Sequence, residues 1–286
     1  MATCEVCFRR CSLAEGQTGA CSARICREGT VQPAHYGRLS SLALDPIEKK
    51  PLNHFYPGSM ILSAGSLGCN LHCVFCQNHE IAQADDSGQF SVPSEEVSPE
   101  KLVGIAESCR QRGNIGIAFT YNEPLVGYEY VRDTAKLAHK KGLKCVLVTN
   151  GTASLPVLEE IAPYIDAMNI DLKGFTERYY KEVLKGDLQM TKAFIREAVK
   201  TCHVELTTLI VPGENDSREE MREISGWIAG LQDVYSGRTG REIPLHISRF
   251  FPRYRMTDRP PTDVRTVYEL VETAKQYLKY VYPGNC

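Results

Sequence analysis

What this 286-residue sequence lacks narrows its class first. Its 33 Lys and Arg nearly balance its 35 Asp and Glu, a formal net charge of -2. Such a balance offers no bulk attraction for nucleic acid or an anionic membrane. No run of about 18 apolar residues occurs, so no segment reads as a transmembrane helix. The N-terminus has no apolar core of the signal-peptide kind. These absences point to a cytoplasmic protein with neither a nucleic-acid nor a membrane partner. No glycine-rich dinucleotide fingerprint follows the first strand-like segment, which disfavours a doubly wound nucleotide fold. No obvious partner-binding insertion interrupts the chain.

Cysteine, in contrast, is plentiful: there are twelve. In a reducing compartment, clustered cysteines read as metal ligands before disulfides. The hydrophobic share of 43% and charged share of 24% are those of a globular protein. The length suits one large α/β domain plus an appendage. We therefore read residues 1–35 as a Cys-rich metal-binding segment and 36–286 as the main domain with a C-terminal extension.

The densest cluster is Gly68-Cys69-Asn70-Leu71-His72-Cys73-Val74-Phe75-Cys76-Gln77-Asn78. Its three thiols are one short of the tetrahedral set that zinc normally takes. A cubane iron–sulfur cluster on Cys69, Cys73 and Cys76 keeps one iron open for a further ligand. The plainer readings are structural thiols or part of a zinc knuckle. In the N-terminal segment, Cys4, Cys7, Cys11 and Cys21 supply four thiolates, with Cys26 spare. They satisfy zinc or a second cluster equally well, and so short a segment takes its order from the bound ion. Free thiols in a flexible leader are the alternative.

Beyond the loop, short apolar strands alternate with helices. Strands are expected near 115–120, 145–149, 167–172, 204–211 and 244–248, with another at 41–44. Helices are expected from Ser98 onward and over 128–141, 155–162, 190–201, 218–230 and 264–278. That alternation implies a parallel sheet, and without the dinucleotide fingerprint a barrel fits better. In such barrels the ligand sits at the C-terminal strand ends. The strands stop there at Thr120-Tyr121-Asn122-Glu123-Pro124, Thr149-Asn150-Gly151, Asp171-Leu172-Lys173 and Arg249-Phe250. Any one of these could be a turn or a helix cap. Several polar groups converging on one rim suit a ligand with many hydrogen-bonding atoms. Residues 47–59, polar and aromatic at once, are expected to pack across the domain near the cluster mouth.

With these motifs in place, the chain resembles the radical S-adenosylmethionine (SAM) superfamily, whose signature is the three-cysteine spacing with an aromatic residue, here Phe75, before the third cysteine. Within it the chain looks like the pyruvate formate-lyase activating enzyme branch. It is most similar there to the radical SAM member of the AmmeMemoRadiSam system. Asp45-Pro46-Ile47-Glu48-Lys49-Lys50-Pro51-Leu52, Cys76-Gln77-Asn78 and Pro244-Leu245-His246-Ile247-Ser248-Arg249-Phe250 add to that likeness. The resemblance implies an α/β fold, a partial (β/α)6 TIM-like barrel, and a 4Fe-4S cluster on Cys69, Cys73 and Cys76. It implies SAM contacts from Phe75, Asn78, Asn122, Glu123, Thr149, Asn150, Asp171, Lys173 and His246. Glu123 stands where relatives meet the SAM amino group, although Tyr121 and Asn122 replace two glycines. Asp171 and Lys173 match a pair near the SAM ribose and carboxylate, and His246 a histidine of the adenosine pocket. The implied activity is reductive SAM cleavage to a 5′-deoxyadenosyl radical, with no protein catalytic acid or base required. An electron donor such as a flavodoxin or ferredoxin is the implied partner. The substrate stays open among small molecule, peptide and protein. The other readings are activation of a glycyl radical enzyme and a non-catalytic metal-binding module.

Overall fold

The computed structural model describes residues 1–85 and 87–286. Its centre is one eight-stranded sheet whose strands follow one another in chain order. They are β1 (Ser41–Pro46), β2 (Met60–Gly65), β3 (Asn114–Phe119), β4 (Lys144–Thr149), β5 (Ala167–Asp171), β6 (His203–Ile210), β7 (Leu245–Arg249) and β8 (Val281–Gly284). Strands β2 to β8 are parallel; β1 alone runs antiparallel, against β2. A helix follows each of β2 to β7: α1 (Pro99–Ser108), α2 (Tyr128–Lys140), α3 (Leu155–Ile161), α4 (Leu188–Ala198), α5 (Arg218–Ala229) and α6 (Val264–Ala274). This is the expected (β/α)6 arrangement, with an extra strand at each edge.

Local chemistry explains the element boundaries. Ser98 opens α1 by accepting from the Lys101 amide at 3.2 Å, and Pro99 occupies the first turn. Asp187 caps α4 through the Met190 amide at 2.8 Å, starting that helix two residues before the sequence reading. Along the strands, successive residues alternate between two apolar layers, as a period of two demands. Leu62, Ile117, Leu147 and Met168 pack outward under the helices, while Ile61, Ala118, Val146 and Ala167 point inward.

The inward layer is closed by the segment between β1 and β2, which corrects one expectation in part: Lys49 and Lys50 do face the space beside the cluster loop, but the segment's apolar residues do not. Ile47, Leu52 and Phe55 fill the end of the barrel opposite the cluster loop. Because β1 runs down as β2 runs up, their connection must cross at the N-terminal ends of the parallel strands. Above this plug lies a buried polar layer around Glu205, which accepts from the Asn53 and His54 amides at 3.0 and 2.7 Å. The histidine side chains of His203 and His246 complete the set at 3.0 and 2.7 Å.

Residues 1–35 form two short hairpin pairings and lie against the cluster loop. Arg9 donates to the carbonyls of Asn70 and Lys185, and Arg24 grips Glu129 through two bonds of 2.7 Å. Gly68, at the start of the cluster loop, has a φ of +91. A Cβ there would stand 2.5 Å from the Cys21 carbonyl oxygen, so only glycine lets the two segments meet. Among the described residues, no helix is long and apolar enough to cross a membrane.

Candidate active site

A cavity of about 540 Å³ opens at the C-terminal ends of the strands. Three cysteines, Cys69, Cys73 and Cys76, share its wall, where the loop after β2 turns back through a Cys76 N to Cys73 O bond of 3.1 Å. Phe75 is buried and meets Phe250 edge-on, with ring centroids 6.1 Å apart. Burial pushes the Cys69 thiol well above its ordinary range and Cys73 up to about 12. It raises Cys76 as well. Thiolates so placed need a positive partner, which iron supplies, so the donor set fits an iron–sulfur cluster. Asn150 donates to the Cys69 sulfur at 3.6 Å, a contact typical of a sulfur held as a ligand.

The other expected residues converge on the same cavity: Asn78, Asn122, Glu123, Thr149, Asn150, Asp171 and Lys173 all line it. Glu123 is 2% exposed and accepts from Thr149 Oγ1 at 2.7 Å and from the Leu125 and Asn150 amides. Burial outweighs those bonds and raises its carboxyl to about 7. A cationic ligand reaching this carboxylate would stabilise the ionised form. Asp171 pairs with Lys173 at 2.8 Å. Burial works against the Lys173 ammonium, but Asp171 and Cys73 outweigh it and hold its pKa above the usual value.

Asn122 has a second part to play beside lining the cavity, and His246 stands apart from it. Asn122 is a tether: its side chain accepts from Ser66 N at 3.0 Å and donates to Gly68 O at 2.9 Å, fixing the root of the cluster loop. His246 is absent from the cavity wall. It sits one inward position below Ser248 on β7, where its ring is held by Glu205 in the polar layer. The strand's period of two places it a layer too deep, which sequence likeness alone does not reveal.

Tyr121 and Arg249, expected at the strand ends, also line the wall, and the structure adds Lys50 and Arg253 to it. Tyr121 has a φ of +74, the left-handed region that glycine tolerates and tyrosine does not favour. Its hydroxyl donates to Asp45 at 2.7 Å, and the Lys50 ammonium lies 4.6 Å from its ring centroid and 2.9 Å from Asp45. Asp45, Lys50 and Tyr121 thus form one assembly that no spacing rule links, because they meet only when β1 and β3 flank β2. The only sequence signal for it is the polar stretch Asp45–Leu52, which carries family likeness but says nothing of this contact.

At the N-terminus, Cys4, Cys7 and Cys21 are buried and Cys11 is half-buried, with the Cys4 amide donating to the Cys11 carbonyl at 2.9 Å. Burial raises the Cys7 thiol and lifts Cys21 to about 11, and the neighbouring thiols add to both shifts. Cys26, 1% exposed, faces Glu15. Among the described residues, no three Cys, His, Asp or Glu side chains already stand together as a metal-ion site.

Comparison with known proteins agrees with this geometry. Residues 65–224 match the family described as the radical SAM superfamily. The chain is 39% identical to the uncharacterized protein MJ0808 of Methanocaldococcus jannaschii over 99% of its length and 80% of that protein's. It is 24% identical to the pyruvate formate-lyase 1-activating enzyme of Escherichia coli, over 58% of this chain and 68% of that one. The solved structure of SuiB from Streptococcus suis shares the fold at a TM-score of 0.58 and 13% identity, covering 78% of this chain and 48% of SuiB. A family match across more than half the chain, centred on the three-cysteine loop and the strand ends around it, settles the class: this chain belongs to the radical SAM superfamily.

Proposed function

We propose that the protein cleaves SAM reductively and uses the product radical to take hydrogen from a substrate held in the same cavity. The single observation that carries this is the convergence of three buried thiols with Glu123, Asp171 and Lys173 on one cavity at the strand ends. Bound there, a 4Fe-4S cluster would supply the electron for reductive cleavage of the SAM sulfonium C–S bond. Cys69, Cys73 and Cys76 would hold it, while Asn150 fixes the Cys69 sulfur. Glu123 meets the SAM ammonium, and its carboxylate is restored to the ionised form by that contact. The Asp171–Lys173 pair holds the ribose and carboxylate end.

Within the superfamily we assign the chain to the radical SAM member of the AmmeMemoRadiSam system, supported by the likeness of motifs from Asp45–Leu52 to Pro244–Phe250. A flavodoxin or ferredoxin is the electron donor of this reading. The 24% identity to a glycyl radical activating enzyme favours a second reading, in which a partner protein's glycine is the hydrogen donor. Anaerobic reconstitution with iron, sulfide, SAM and dithionite tests the first step. We expect 5′-deoxyadenosine from the intact protein and none from the Cys69/Cys73/Cys76 triple alanine variant, with loss of one cluster's iron. Equal 5′-deoxyadenosine from both proteins would defeat the assignment of the loop.

A further inference from the structure

Five cationic side chains line the cavity: Lys49, Lys50, Lys173, Arg249 and Arg253. The lysines are already matched. Lys173 pairs with Asp171 at 2.8 Å, and Lys50 and Lys49 share Asp45 at 2.9 and 3.5 Å. Among the described residues, neither Arg249 nor Arg253 enters an ion pair. SAM does not account for them, because its sulfonium and ammonium outnumber its one carboxylate and leave it a net cation.

Arg249 is moreover fixed in place. It ends β7, half-buried. Its Nε donates to the Thr262 carbonyl at 2.7 Å, and its guanidinium lies 4.9 Å from the Phe251 ring centroid. Thr262 is itself 1% exposed and donates from its hydroxyl to the Ile210 carbonyl at 2.6 Å. Both terminal Nη groups have no hydrogen-bond partner among the described residues. A guanidinium anchored at Nε with its terminal fork free is preorganised for a planar oxyanion and loses little rotamer freedom on binding. The surrounding strand end touches the cluster loop on two sides. Phe250 packs against Phe75, and the Arg255 amide donates to the Val74 carbonyl at 2.9 Å. Arg253, exposed at the rim, belongs to the same turn.

Resting on the reading of the cavity as a radical SAM site, we propose that its substrate carries an oxyanion, a carboxylate or a phosphate. Arg249 takes this group through its free fork, and Arg253 meets it at the rim. The anchored end lies against the cluster loop, so the rest of the substrate extends over the place where SAM is cleaved.

The test uses the full chain, reconstituted anaerobically and saturated with SAM. Radiolabelled inorganic phosphate and radiolabelled succinate are offered separately in equilibrium dialysis, and dithionite-dependent 5′-deoxyadenosine is measured on the same preparation. We expect saturable binding of at least one of the two anions, and which one binds distinguishes a phosphoester from a carboxylate substrate. Arg249→Gln should weaken that binding roughly 10- to 100-fold, the loss of one or two charge-assisted bonds. Arg249→Lys should retain part of it, and Arg253→Gln should weaken it less. Arg218→Gln, at an exposed pair with Glu269, serves as the control for bulk charge. Thermal unfolding by circular dichroism confirms that each variant is folded. If neither anion binds saturably, or if Arg249→Gln binds as the parent does, the oxyanion site is overturned. Anion binding without any 5′-deoxyadenosine would instead defeat the radical reading and leave the anion site standing.

Discussion

Replacing Glu205 by Gln should destabilise the barrel far more than so small a change of shape suggests. The carboxylate is fully buried and takes four donors: two plug amides and two imidazoles, at 2.7 to 3.0 Å. Burial alone would raise its pKa, but the hydrogen bonds from His203 and His246 outweigh it and hold the carboxyl at about 2, against 4.5 ordinarily. That difference is on the order of 3 kcal/mol of stability in favour of the charged form. Gln keeps the volume but turns one oxygen into an NH2 group aimed at donors, leaving buried donors without an acceptor. Breaking such a buried charged cluster costs roughly 3–5 kcal/mol. For a chain of this size that is a fall in Tm of roughly 5–8 °C. The assay is thermal unfolding at neutral pH, by circular dichroism, on parent and variant prepared in parallel. The folded pKa lies below the unfolded one, so this stabilisation is complete above about pH 4.5 and is lost as pH falls towards 2. A Glu205→Gln protein melting within 2 °C of the parent at neutral pH would refute the reasoning, because the plug would then be held by its apolar residues alone.

Glu123 should act in the opposite sense. Its carboxyl is raised to about 7 from 4.5, so its contribution to stability is complete below the unfolded value and disappears as pH rises through 7. Without SAM, Tm should therefore decline between pH 5 and 8 by the equivalent of up to about 3 kcal/mol, and Glu123→Gln should flatten that slope; an unchanged slope in the variant would rule Glu123 out as its source. At Tyr121, both Gly and Ala lose the hydroxyl bond to Asp45, but only Gly relieves the left-handed backbone, so Tyr121→Ala should be the less stable by about 1 kcal/mol in chemical denaturation. Equal stabilities would show that the positive φ carries no strain. For Cys4, Cys7, Cys11 and Cys21 we propose one structural metal centre, zinc or an iron–sulfur cluster. Metal analysis of the Cys69/Cys73/Cys76 triple alanine variant should find that centre intact, and a chelator should open the chain to proteolysis near Arg24 or Arg27. A metal-free variant whose N-terminus is equally resistant with and without chelator would dispose of it.

Local rules were enough for the elements and for the three-thiol loop. Apolar runs of five to eight residues, capped helices and Gly142 at a φ of +66 mark out the repeating units whatever the rest of the chain does. The three thiols occupy one short loop, so their spacing is itself the geometry. Strand-end polar residues were legible for a related reason: in a parallel barrel all such ends share one rim. Facing and depth were another matter, since they depend on which neighbour a strand acquires. The antiparallel pairing of β1 with β2 carries the connecting segment across the far end of the barrel, where Ile47, Leu52 and Phe55 become its floor while Lys49 and Lys50 reach the cavity. The pairing of β7 with β6 places His246 opposite Thr207 and within reach of Glu205, below the cavity to which Ser248 and Arg249 contribute. Asp45, Lys50 and Tyr121 lie up to 76 residues apart and meet only through the order β1, β2, β3. Sequence determines periodicity, caps and ligand spacing because those act over a few residues. Which buried charge finds its partner was decided only when the folded sheet brought distant residues within hydrogen-bonding distance.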